Sequence, residues 1–190
     1  MRVVRYRLVG FKRPEGVFIK QTLQDPRGHA GNNIIFKRCW GHHIPEVIMR
    51  LTPRHEIQTL FPSDELVNLS VTDFSGHPRK IYIDHINWHT IPEDFEGCMK
   101  QYRQYIIQHE MGHAIGIYDH AHPVHDAIGH HCHPMYQQTK GTKGLCRANP
   151  WLYPRLYPRL YPHKSMTHAK SPSKKRKQTK KKKKKKNKMS

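Results

Sequence analysis

The stretch that most constrains the fold is residues 99–115, MKQYRQYIIQHEMGHAI. Within it Tyr102, Ile106, His109 and His113 follow one another at spacings of four, three and four residues. On an α-helix these spacings bring side chains onto one stripe, because residues three and four apart lie side by side on successive turns. The sequence therefore predicts a helix whose buried face carries two imidazoles one turn apart.

The His-Glu-x-x-His pattern within this helix indicates a zinc site. His109 and His113 can both reach one metal ion, and Glu110 projects toward a water bound to that ion. Zinc lowers the pKa of such a water to roughly 7, and a neighbouring carboxylate can take its proton. We therefore predict His109 and His113 as ligands and Glu110 as the general base. The competing interpretation is a surface histidine cluster, since the chain contains 17 histidines.

A resemblance to the metzincin peptidases begins at this pattern and suggests a third ligand. Their signature is His-Glu-x-x-His-x-x-Gly-x-x-His, and this chain matches it up to Gly116, which is also expected to end the helix. The sixth residue after His113 is Asp119, and an Asp oxygen binds zinc at about the same distance as a His nitrogen. The resemblance thus favours Asp119. His120 is the alternative and needs a one-residue bulge, and His122 is a third candidate.

The segment HPMYQQT extends the resemblance. It places Met135 22 residues after His113, as in the tight turn that carries a methionine beneath the zinc of metzincins. An ordinary core methionine is the alternative interpretation. Tyr136 is a candidate to point at the metal or at the developing oxyanion.

A narrower resemblance covers about residues 20–151. The stretches YRQYIIQHEMGHAIG and MYQQTKGTKGLCRANPW are similar to a family of metzincin-like domains with a YRxYVVNHEVGH helix and a QQT…CxxNPW ending. This resemblance implies that Cys132 and Cys146 lie close together, where a disulfide would clip the Met135 loop. It also implies that the strand RKIYID lies at the edge of the cleft and pairs with an extended substrate.

The remaining periodicity predicts the α+β class. Alternating or apolar runs indicate short strands at residues 1–9, 17–23, 33–39, 45–52 and around 79–84. One long helix and a loop-rich half follow. The expectation is a small twisted sheet, an active-site helix and a loop-rich C-terminal half, forming a metzincin-like zinc peptidase domain over residues 1–151.

The C-terminal segments have a different composition. Residues 152–163 repeat LYPR, and a proline at every fourth position predicts an extended linker. Residues 164–190 contain 14 of the 34 Lys and Arg residues and no acid, which leaves 34 − 14 = 20 basic and 14 acidic residues in the rest, a net +6. Such a lysine-rich tail cannot build a core and is expected to be disordered.

Composition also bears on location. No apolar run approaches the roughly 20 residues that cross a bilayer, and charges interrupt the apolar start, so no signal peptide and no membrane partner are expected. Four cysteines are too few for a disulfide scaffold. The sequence predicts an intracellular protein, associated with the nucleus or with nucleic acid where the tail directs it.

Three functions fit these features. The first is a zinc metalloendopeptidase that hydrolyses a peptide or protein substrate through a zinc-bound water activated by Glu110. The second is a non-catalytic nucleic-acid-binding or packaging protein with a structural metal site, which explains the tail but not Glu110, Gly116 and Met135 together. The third is a zinc hydrolase acting on a non-peptide amide, because the chemistry is the same.

The tail generates a prediction about polyanions. Residues 164–190 contain no Phe, Tyr or Trp as a stacking platform for bases, and they are expected to have no fixed geometry that could read base edges. We therefore expect duplex DNA to bind by phosphate neutralisation, with a log–log salt slope of about −0.9 per phosphate contacted and little sequence preference. Fluorescence anisotropy at several salt concentrations measures this slope. Deletion of residues 164–190 should abolish the binding; binding that survives the deletion and ignores salt would contradict the prediction.

Overall fold

The computed structural model describes residues 1–121 and 130–154. Its elements alternate between strands and helices along the chain. The strands are β1 (Arg2–Val9), β2 (Ile34–Arg38), β3 (Val47–Thr52), β4 (Val71–Asp73) and β5 (Arg79–Asp84), and the helices are α1 (Arg13–Gln24), α2 (Arg54–Leu60), α3 (His85–His89) and α4 (Met99–Ala114). Short 3₁₀ turns cover His29–Asn32, Asp64–Leu66 and Gln138–Lys140.

The strands form one five-stranded sheet in the order β2-β1-β3-β5-β4. The first four in this order run parallel, and β4 runs antiparallel to β5. This mixed sheet with its helices confirms the predicted α+β class. The predicted tail and most of the predicted linker lie outside the described residues, as does His122.

The main core lies between one face of the sheet and helices α1 and α4. It is built from fully or almost fully buried side chains of β1, β3, β5 and the two helices, namely Val4, Tyr6, Val47, Met49, Ile81, Ile83, Ile19, Leu23, Ile107 and Met111. Helix α2 covers part of the opposite face, where Ile57 packs on Val71 and Tyr82. Helix α4 is therefore enclosed by the sheet and by α1, and most of its residues are buried.

Residues 17–23 form part of α1 and not the predicted strand. Pro14 stands in the first turn, and the Glu15 carboxylate accepts a hydrogen bond from the Lys12 backbone N–H at 2.7 Å, which caps the helix. The buried positions Gly16, Ile19, Thr22 and Leu23 follow helical spacing. The strand prediction was wrong because a short alternating run is also compatible with one face of a helix.

RKIYID does not lie at an edge of the sheet, whose two edge strands are β2 and β4. That sequence forms β5, which pairs with β3 on one side and with β4 on the other. Its neighbour at the edge, β4, has only three residues, Val71–Asp73. A strand this short carries too little periodicity to be recognised in a sequence.

Helix α4 begins and ends close to the predicted positions. It spans Met99–Ala114, and Gly116 then adopts a φ of +111°, with its N–H bonded to the His113 carbonyl at 3.0 Å. A backbone in this region favours glycine, so Gly116 ends the helix as expected. Among the described residues, no helix has both the length and the apolar character required to cross a bilayer.

The helical assignment of residues 17–23 predicts different effects for two neighbouring positions. Ile19 is fully buried and Val17 is 49% exposed, although both would share one face of a strand. We expect Ile19→Ala to lower the free energy of unfolding by about 2–5 kcal/mol and Val17→Ala to change it by less than about 0.5 kcal/mol. Urea denaturation of the two variants measures this difference. Similar losses for both would favour the strand.

Candidate metal centre

Three histidines converge at the C-terminal end of α4. His109, His113 and His120 each offer one ring nitrogen, and these atoms lie within 4.8 Å of one another. The ring centroids of His109 and His113 are 4.8 Å apart, and the ring centroid of His120 lies 5.3 Å from that of His109 and 5.0 Å from that of His113. His109 and His113 are buried and His120 is exposed, so the three rings could hold a metal ion close to the protein surface.

Backbone carbonyls orient the two helical imidazoles. His109 Nδ1 lies 2.8 Å from the Pro134 carbonyl, and His113 Nδ1 lies 2.7 Å from the Ile117 carbonyl. A carbonyl only accepts, so each Nδ1 carries the proton and each Nε2 keeps a free electron pair. Partners of this kind fix the tautomer and the ring orientation of histidine ligands.

The third imidazole has a side-chain partner. His120 Nε2 lies 3.0 Å from Nε2 of Gln137, and the backbone N–H of Ala121 donates to the Met135 carbonyl at 3.3 Å. Both contacts come from the loop that also provides Pro134. Gln137 was not predicted from the sequence as a contact of the site. Its position two residues after Met135 could have suggested that it lies near the histidines.

The pKa of each of these imidazoles is lowered, which favours the neutral form. Desolvation, followed by repulsion from His113, lowers the pKa of His109 to about 3. Burial also lowers the pKa of His113 and that of His120, and the charge of Lys140 lowers the pKa of His120 further. A metal binds the neutral form of histidine, so the three rings need not lose a proton before binding near neutral pH.

Glu110 lies beside the histidines and is held by the edge strand. Thr72 Oγ1 on β4 donates to Glu110 Oε2 at 2.6 Å and lies 3.1 Å from the Glu110 carbonyl oxygen. Burial raises the pKa of Glu110 to about 7, against the opposing effect of the Thr72 hydrogen bond. A carboxyl group with a pKa near neutrality can both accept and release a proton.

A small cavity opens between Glu110 and His109. Its volume is about 20 Å³, and it is lined by Leu69, Ser70, Tyr105, Ile106, His109, Glu110, Gln137 and Thr139. This space holds about one water molecule. Glu110 and His109 both line this water-sized space.

Met135 lies directly beneath the histidines. Its side chain is fully buried, and a Cβ atom added to Gly112 would lie 2.4 Å from Met135 Sδ and 2.9 Å from His29 Nε2. Gly112 stands between His109 and His113 in the helix, so its missing side chain lets Met135 approach the turn that carries both. The sulfur thus supports this turn by packing.

The loop around Met135 is cross-linked to the C-terminal segment. Cys132 and Cys146 form a disulfide with their Cα atoms 5.1 Å apart, in keeping with the proximity that the family resemblance implied. The Gln138 amide donates to the Asn149 carbonyl at 2.8 Å and accepts from the Asn149 N–H at 2.8 Å. Asn149 also donates to the Cys132 carbonyl at 2.9 Å. The sequence reasoning missed this amide pair, which fixes the loop holding His109.

The structure groups some of the candidate residues and separates others. It brings His109, His113 and the alternative ligand His120 together, whereas Asp119 is exposed and is not a member of the group. Tyr136 contributes its carbonyl, which accepts from Tyr105 Oη at 3.1 Å. The identity of the third metal ligand stays a prediction.

The chain belongs to a protein family. It matches the family described as "Protein of unknown function (DUF3152)" over residues 10–154. No curated protein matches the chain. No solved structure matches it either.

The geometry and the sequence pattern predict different third ligands. From the geometry, we expect His120→Ala to weaken zinc binding by more than about 100-fold, as for His113→Ala, because either change removes a ligand nitrogen. Asp119→Ala should weaken zinc binding clearly less than His120→Ala, since Asp119 lies outside the group. Competition of the full-length protein with a chromophoric zinc chelator measures each dissociation constant. Loss of zinc in Asp119→Ala with retention in His120→Ala would restore the sequence-based assignment.

Proposed function

We propose that the chain is a zinc-dependent metallopeptidase of the metzincin-like type, which cleaves internal peptide bonds of peptide or protein substrates. One observation carries the proposal. Three neutral imidazoles converge at a surface site, and Glu110 lines a water-sized cavity together with the first of them, His109.

The donor set fits zinc. Three imidazole nitrogens are a known ligand set for catalytic zinc, which keeps its fourth position open. His109 and His113 present Nε2 because carbonyls hold their Nδ1 atoms. The exposed side of His120 leaves the group accessible to a substrate.

The acid–base chemistry falls to Glu110. A bound zinc ion would supply Lewis acidity, polarising the scissile carbonyl and lowering the pKa of water. Glu110 Oε2 is held by Thr72, so the second oxygen can take a proton from the attacking water. The same carboxyl group then delivers that proton to the leaving amine nitrogen, which completes the cleavage.

The edge strand provides a place for the substrate backbone. In the described part of the chain, β4 pairs with β5 alone, which leaves its outer backbone groups available. An extended peptide that adds to this edge lies over Glu110, because Thr72 of β4 contacts that carboxylate. The sequence predicted this role for RKIYID; we propose it for the antiparallel neighbour β4.

Three further features support a metzincin-like architecture. Gly116 ends the helix at the position expected from the signature, Met135 lies beneath the histidines, and the sheet has an antiparallel edge strand beside them. The departure from the signature concerns the third ligand, which we assign to His120. This assignment corresponds to the one-residue bulge relative to Asp119.

Two alternative functions differ from this proposal in substrate or in the part of the chain they use. A non-peptide amide would be hydrolysed by the same groups, so the substrate screen must include such compounds. Nucleic-acid binding depends on residues 164–190, outside the described residues, and is compatible with peptidase activity in the body. A nucleic-acid-binding protein with a structural metal has no need for a carboxylate poised beside a water-sized cavity.

The decisive variant is Glu110→Gln. We expect it to retain zinc, because Glu110 is not among the grouped histidines, and to lose about 10²–10⁴-fold in peptide hydrolysis, as for loss of a general base. The measurements are zinc content by mass spectrometry and turnover of a broad peptide library. Glu96→Gln, at an exposed position, is the matched control and should retain both properties. Near wild-type turnover in Glu110→Gln would refute the assigned role.

A further inference from the structure

An exposed pair of aromatic rings stands beside the histidines. Phe74 is 45% exposed and Tyr118 is 55% exposed, and their rings meet edge to face with centroids 5.2 Å apart. The Phe74 ring centroid lies 6.0 Å from that of His113. We call Phe74 and Tyr118 the aromatic shelf. Its exposed apolar surface is thus continuous with the candidate metal centre.

Arg79 fixes the orientation of the shelf. One guanidinium nitrogen donates to Tyr118 Oη at 2.8 Å, and the other donates to the Ala114 carbonyl at 2.7 Å. The guanidinium carbon lies 5.6 Å from the Tyr118 ring centroid. The shelf is therefore held jointly by the start of β5 and the end of α4. Rings that are already ordered bind a partner with a smaller loss of conformational entropy.

The edge strand leads from Glu110 to the shelf. Strand β4 ends at Asp73, and Phe74 follows directly. Thr72, two residues earlier, contacts Glu110. A peptide that pairs with β4 and presents its scissile bond to Glu110 consequently passes the shelf within one or two residues, since a strand advances about 3.3 Å per residue.

The cavity lined by Ser70, Tyr105 and Glu110 is water-sized, with a volume of about 20 Å³. The shelf offers a larger substrate group exposed apolar surface beside His113.

We infer that the aromatic shelf binds a large apolar or aromatic side chain of the substrate, adjacent to the scissile bond on the His113 side. The proposed peptidase thereby selects its substrates at Phe74 and Tyr118. The inference rests on the proposed function for its substrate class. The guanidinium of Arg79 at the shelf disfavours a lysine or arginine side chain in the same place by charge repulsion.

Small hydroxamates separate the shelf from the metal centre. The probes are acetohydroxamate, which has no side chain, and the N-acetyl hydroxamates of alanine, phenylalanine and lysine, titrated calorimetrically into the zinc-loaded full-length protein. We expect the phenylalanine compound to bind about 10–100-fold more tightly than the alanine compound, as for burial of a benzyl group. The lysine compound should bind no better than the alanine compound.

Variants identify the surface responsible. The double variant Phe74→Ala/Tyr118→Ala should reduce the phenylalanine preference, measured as the ratio of the phenylalanine and alanine affinities, to within about threefold. Because Phe74 also contacts the His113 ring, this ratio is the readout: an effect on the metal centre changes both affinities alike. Leu60→Ala, at an apolar position on α2 that is 48% exposed, is the matched control and should keep the preference.

The outcomes distinguish the two proposals. Acetohydroxamate that fails to bind the zinc-loaded protein would overturn the proposed metallopeptidase together with the shelf. Acetohydroxamate that binds, with no gain from the phenylalanine side chain, would overturn the shelf alone. A gain that survives the double variant, or a preference for lysine, would overturn it as well.

Discussion

The constraint on which the structure depends is the burial of polar groups in α4. This helix lies inside the molecule, yet it carries Gln108, His109, Glu110 and His113 in sequence. Buried polar groups are costly unless they are hydrogen-bonded. Each of the four has a partner outside the helix. Gln108 donates to the Thr22 carbonyl in the last turn of α1, and the other three contact the Pro134 carbonyl, Thr72 and the Ile117 carbonyl. These hydrogen bonds tie α1, β4 and the segments that carry Ile117 and Pro134 to α4.

This dependence explains why residues 130–154 have defined positions although they contain little regular secondary structure. They hold the Pro134 carbonyl at His109 and Met135 against Gly112. Loops gain such definition only from cross-links, and here these are the Cys132–Cys146 disulfide and the amide pair of Gln138 with Asn149. Both cross-links are buried. The segment that contains these cross-links, although predicted to be loop, thus supports the candidate metal centre.

The parts that the sequence predicted correctly are those with local signals. Helix α4 was predicted from one stripe of residues, and its end from the conformational freedom of Gly116. The sequence did not predict α1, whose short apolar run also fits a strand, or β4, whose three residues carry no period. It also did not identify Thr72 and Gln137, because their relevance arises from contacts with residues 38 and 17 positions away. Contacts of this length depend on the tertiary fold and leave no local pattern.

The position of His120 shows most directly that the site depends on contacts between distant parts of the chain. Helix α4 can align His109 and His113 by itself, because its own geometry places residues four apart on one face. It cannot place His120, which follows the turn at Gly116 and is exposed. That residue is held through Gln137 and through the bond from the Ala121 N–H to the Met135 carbonyl. The same loop holds His109 through Pro134. These contacts can therefore bring His120 to the candidate metal centre, although the spacing of the sequence pattern pointed to position 119. The loop that carries Met135 therefore sets the geometry of the candidate metal centre as much as the helix does.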